Sequence, residues 1–103
     1  MSVTINNGSV TLTAATSTLV SEAKYSGSIR AVLVVTNTEA AGGSTITIAV
    51  GQEAKAANGI ILLPGQSFAW ALDSGYRPPL HQVNAYSAGT PVLAIYEEIF
   101  TRD

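Results

Sequence analysis

Thr45-Ile46-Thr47-Ile48-Ala49-Val50 alternates residue by residue, with Ile46, Ile48 and Val50 on one side and Thr45 and Thr47 on the other. Successive side chains of an extended chain point to opposite faces, so this stretch reads as a strand with an aliphatic face and a threonine face. Gly51 ends it. Upstream, Ile29-Arg30-Ala31-Val32-Leu33-Val34-Val35-Thr36 is the most apolar run in the chain, too short and too β-branched for a helix. It is expected as a central strand covered on both faces. Residues 37–43 between them form a turn-rich loop, and Gly42-Gly43 lacks the following Gly and Lys of a phosphate-binding loop.

Downstream the same period returns. Asn58-Gly59 marks a turn before Ile60-Ile61-Leu62-Leu63, and Pro64-Gly65 marks the next. Proline presets φ there and glycine accepts a positive φ. Over residues 66–72, Phe68, Trp70 and Leu72 share one face and are expected in the core. Tyr76-Arg77-Pro78-Pro79 is an extended loop, because two prolines do not fit a central strand. Residues 82–87 make a short strand and residues 91–100 the last long one. Toward the N-terminus, Ser9-Val10-Thr11-Leu12-Thr13 alternates after an expected turn at Asn6-Asn7-Gly8. Residues 1–8 then read as an extended arm carrying Val3 and Ile5, pairing with its own sheet edge or with a neighbour's. Residues 17–24 are the only helix candidate. Capping-box spacing fails there, since Val20 stands three after Ser17 and Ser21 three after Thr18, and a strand is favoured. Seven or eight short, evenly spaced strands predict an all-β fold. We expect a single antiparallel β-sandwich over residues 1–103, jelly-roll or Greek-key like.

The chain has 103 residues, enough for one domain, with 47% hydrophobic and 12% charged residues and a net charge of −2. Charge at about half the usual quarter leaves two readings open. Partners cover much of the surface, or Ser, Thr, Asn and Gln solubilise it. Lys24, Arg30, Lys55, Arg77 and Arg102 are scattered, so no nucleic-acid partner is expected. There is no cysteine, no apolar run of membrane-spanning length and no signal-peptide pattern at the start. We expect no membrane partner, and synthesis in a cytoplasm.

Standard reaction centres fail one by one. His81 is the single histidine, on a loop after Pro78-Pro79-Leu80, and no serine sits in a Gly-x-Ser-x-Gly elbow. Glu97 and Glu98 are adjacent on a strand and face opposite ways, so they cannot serve one substrate as an acid–base pair. One of them is expected to pair with Arg30 or Arg77. No metal or cofactor motif occurs, and the expectation is a protein without cofactor that is not an enzyme. Tyr and Arg are favoured at interface cores, which makes Tyr76, Arg77, Pro78 and Pro79, together with Val3 and Ile5, the candidate protein-contact residues.

The order of signals between residues 29 and 98 is itself distinctive. A strand ends in Asn37, a second in Gly51, and Gly59-Ile60-Ile61-Leu62-Leu63-Pro64-Gly65-Gln66-Ser67 makes a turn. Ala85-Tyr86-Ser87 and a closing strand 92–97 ending in Glu97 follow. This resembles the small β-sandwich head decoration, or capsid cement, proteins of tailed bacteriophages. The resemblance implies a virion structural protein on the capsid exterior that binds the major capsid protein, self-associates as a dimer or trimer, and stabilises the shell. It carries no catalytic residue over. Pro64, Gly65 and Glu97 are carried over in a structural role only. The alternative from another class is a ligand- or sugar-binding β-sandwich module of a phage tail or cell-surface protein, suggested by the aromatics and the Tyr76-Arg77 loop. A cupin-like or hydrolase enzyme is the third reading, disfavoured by the single histidine.

Overall fold

A computed structural model describes the chain except Met1, Ser26, Tyr76, Asp103 and the side chain of Ser74. Eight strands follow in order: β1 (Ser2–Thr11), β2 (Thr18–Ser21), β3 (Ser28–Asn37), β4 (Ile46–Val50), β5 (Ile60–Leu62), β6 (Ser67–Ala71), β7 (Val83–Tyr86) and β8 (Val92–Thr101). They form two four-stranded sheets. Sheet A has the order β1-β8-β3-β6 and sheet B the order β2-β7-β4-β5, all neighbours antiparallel. The pairs β1–β8, β2–β7, β3–β6 and β4–β5 are those of one long hairpin rolled across two sheets, which is the jelly-roll arrangement.

The core is the inner face of both sheets. Leu33 and Val35 of β3, Trp70 of β6 and Leu93 of β8 pack against Ile46 and Ile48 of β4, Leu62 of β5 and Val83 and Ala85 of β7. Phe68 leans on Trp70 edge-to-face at 4.7 Å, on the inner side as the alternation predicts. The turn from β5 to β6 crosses between sheets. Gly65 has φ +82, and the Gln66 N–H donates to the Leu63 carbonyl at 2.9 Å, as the Pro64-Gly65 signal requires.

Four sequence expectations are corrected. Asn6-Asn7-Gly8 is not a turn: Gly8 is extended, and residues 2–8 continue into one ten-residue strand paired to the chain's own β8. β3 is central but not covered twice. Val32, Val34 and Thr36 are only half-buried, because among the described residues no layer lies over the outer face of sheet A. Leu72 leaves the inner row of Phe68 and Trp70, since the chain turns into a 3-10 turn at Leu72–Ser74 and carries the side chain outward. Glu97 does not end its strand, which runs on to Thr101. Residues 17–24 contain a strand, β2, as favoured.

Two bulges break the alternation. β3 pairs Arg30 with Ile99 but Val32 with Glu98, so Ala31 is an extra residue. β2 pairs Leu19 with Asn84 but Ser21 with Val83, so Val20 is extra. A bulge shifts every residue beyond it to the other face. Arg30, on the outer parity of β3, is thereby turned inward, and Ser21 with it. Among the described residues no helix is long and apolar enough to cross a membrane.

Candidate protein-contact face

The outer face of sheet A can be read in rows from its registers. The first row is Val3, Phe100 and Ile29 across β1, β8 and β3, followed by Ile5, Glu98, Val32 and Ala71. Asn7, Tyr96, Val34 and Ala69 come next, then Ser9, Ala94, Thr36 and Ser67. The face thus grades from apolar to polar, interrupted in its second row by the Glu98 carboxylate, and at its polar end the Thr36 and Ser67 hydroxyls share a hydrogen bond of 2.7 Å. Beyond Ile29 the apolar end continues into a shallow hollow of about 190 Å³, lined by Ile29, Leu72, Leu80, Pro78 and Arg77 over the stem of Arg30. Val3, Ile5, Ile29, Leu72 and Leu80 are 38–57% exposed. Large apolar side chains gathered this way are unusual on a free surface and mark contact sites.

Arg30 holds this end in shape from beneath. It is fully buried, and each of its five N–H groups has an acceptor. Nε donates to Glu97 Oε2 at 2.9 Å. One terminal nitrogen donates to the carbonyls of Pro79 and His81, and the other to Ser21 Oγ and the Glu22 carbonyl. A guanidinium is the only side chain with this many fixed donors. Ser21 Oγ in turn donates to Glu97 Oε2 at 2.6 Å. The loop that walls the hollow is therefore pinned at two carbonyls, with a third tie from the Lys24 N–H to the Leu80 carbonyl at 2.8 Å. Burial would raise the Glu97 carboxyl, but the hydrogen bonds from Ser21 and Arg30 and the charge of Lys24 outweigh it and hold it below its ordinary value. Above, the Tyr96 hydroxyl donates to Glu98 Oε2 at 2.6 Å, and that bond with the adjacent charge pushes the phenol upward.

Val3 and Ile5 lie exposed on this face, on a strand rather than a free arm. Arg77 stands exposed at the rim. Pro78 is buried as part of the hollow's wall, and Pro79 is half-buried with its carbonyl on Arg30, so both shape the face more than they cover it. Tyr76 lies outside the described residues. Pro64 and Gly65 sit at the β5–β6 turn, away from the face. Glu97, not Glu98, pairs with Arg30, one of the two arginines proposed. Ile29, Phe100, Leu72 and Leu80 were not singled out from sequence. The signal that could have found two of them, Ile29 and Phe100, is apolar residues on both parities of β3 and β8. Trp70, at 8% exposure, is a core residue and no sugar platform. Among the described residues, no three His, Cys, Asp or Glu side chains group to hold a metal. The sequence matches no protein-family model and no curated protein.

Proposed function

We propose that this chain is a non-enzymatic virion structural protein, a head decoration or cement protein that binds the outer surface of a bacteriophage capsid and stabilises it. The observation that carries this reading is the open apolar row Val3–Phe100–Ile29, continued by Leu72 and Leu80 and buttressed by the saturated Arg30. The partner is the major capsid protein, with self-association into a dimer or trimer, and no cofactor takes part. Low charge suits a surface that a lattice covers, and small contacts repeated by symmetry hold through multivalency. The jelly-roll order is shared by capsid, lectin and cupin domains, so the choice among these rests on the face and not on the fold.

Ile29→Glu tests it. Ile29 is a surface position, so the variant should keep the melting temperature of the parent to within about 0.5–1 kcal/mol of stability. It should no longer co-sediment with decoration-free capsids, while the parent does. A parent that never co-sediments, together with a glycan-array signal that survives Ile29→Glu, would replace this reading with the sugar-binding one.

A further inference from the structure

Sheet A ends at β1, and among the described residues no strand pairs with its other edge. Which groups face that edge follows from the register. Leu12 N–H donates to the Pro91 carbonyl at 2.9 Å, one step beyond the unbroken register from Ser2↔Thr101 to Thr11↔Val92. Hydrogen-bonded pairs alternate along an antiparallel ladder. Even-numbered residues of β1 therefore bond to β8. Val3, Ile5, Asn7, Ser9 and Thr11 direct their N–H and C=O groups to the open side.

Proteins guard such edges by keeping them short, charging them, or placing a proline or bulge in them. The other three edges here follow that rule in part: β2 has four residues and a bulge, β5 three, and β6 five. β1 has ten residues, with no charge, no proline and no register shift. Across a two-fold axis a charge at the axis position would meet its own copy, which is destabilising. β1 carries no charge that would oppose such a pairing, and nothing along it guards the edge.

We propose that β1 pairs with the β1 strand of a second copy, antiparallel about a two-fold axis at Asn7, so that the two A sheets become one of eight strands. Val3 then faces the partner's Thr11, Ile5 the partner's Ser9, and Asn7 the partner's Asn7. This is the register in which all five outward residues of each copy form hydrogen-bonded pairs; any other leaves groups at the ends unpaired. The seam uses the backbone edge of β1, whereas the capsid-contact face uses the outward side chains of Val3 and Ile5 on the same strand, so the seam stands whatever that face binds. Both contact faces end on one side of the joined sheet, which doubles their valency.

The test uses the full chain in sedimentation equilibrium, with two prolines that differ by one position. Asn7→Pro removes an N–H on the open side and should halve the mass to that of a monomer while keeping the parent's strand spectrum. Asn6→Pro removes an N–H bonded to β8 and should lower the melting temperature. A parent that is monomeric at every concentration, or an Asn7→Pro variant that dimerises as the parent does, overturns the proposal. Should Asn7→Pro fail to fold, amide exchange on the parent decides. Protection of the odd-numbered amides from Val3 to Thr11 should appear with rising concentration, and protection confined to even-numbered amides at all concentrations overturns it.

Discussion

β3 closes the sandwich interior with a buried polar side chain at each end, Arg30 at one and Asn37 at the other. Both are fully enclosed, and among the described residues no buried side-chain nitrogen or oxygen lacks a partner. Asn37 is neutral and uses its amide to tie sheets together. Nδ2 donates to the Ser44 carbonyl at 2.9 Å and the Leu62 carbonyl at 3.0 Å, and Oδ1 accepts from the Glu39 N–H. It reaches the interior by plain alternation after Leu33 and Val35. Arg30 is charged and needs more: a bulge to turn it inward, a second bulge to bring Ser21, a carboxylate from β8 and three carbonyls from loops. A neutral plug fits the ladder as it stands, whereas a charged one requires the ladder to be rebuilt around it.

The comparison breaks most sharply at Arg30. Arg30→Met leaves Glu97 buried without its cation, and we expect a loss of about 3–5 kcal/mol, read from chemical denaturation. Replacing Glu97 by Leu as well should not restore stability, as it often does for a simple buried pair. The Glu22, Pro79 and His81 carbonyls would still lack donors. Full recovery in the double variant would reduce Arg30 to an ion pair. At the other end, Asn37→Ala should cost about 2 kcal/mol, the penalty for leaving the Ser44 and Leu62 carbonyls unmet. An equal loss at both ends would erase the distinction between charged and neutral plugs.

The same two residues measure what the sequence discloses. Alternation over Ile46–Val50 and at Phe68 and Trp70 made the core positions of β4 and β6 legible, and so was the Pro64-Gly65 turn, whereas Leu33-Val34-Val35 is apolar on both parities and hid which side of β3 faces inward. Arg30 has the parity of Val32 and Val34 and reads as an outward residue. Only the bulge at Ala31 inverts it, and a bulge is a two-against-one register with no residue signature of its own here. The pairing of Glu97 was legible as a choice between two arginines, because adjacent acids on a strand must face apart. The contact face was half legible. Val3 and Ile5 stood out as apolar residues near a terminus, while Ile29 and Phe100 looked like strand interior until the open side of sheet A was known. Leu72 and Leu80 join the face through chain reversals after β6 and before β7, which no periodicity encodes.

The smallest effect sharpens the charged end by pH. The Glu97 carboxyl is held below its ordinary value of 4.5 in the folded protein. As pH falls below that value, the unfolded chain takes up a proton at this position before the folded one does, so acid favours unfolding. The stability that Glu97 contributes is complete above about pH 4.5 and disappears as pH falls through the lower folded value. Glu97→Gln keeps an oxygen for Ser21 and Arg30 but has no proton to gain. At neutral pH it should be less stable by about 1–2 kcal/mol, the scale of a charged against a neutral hydrogen bond. The gap should narrow as the pH is lowered past 4.5, because protonated Glu97 also leaves Arg30 without its anion. Stability curves of parent and variant that stay parallel from neutral pH down to pH 3 would mean that Glu97 is not ionised against Arg30 in the folded state. Both ends of β3 would then be neutral plugs of one kind.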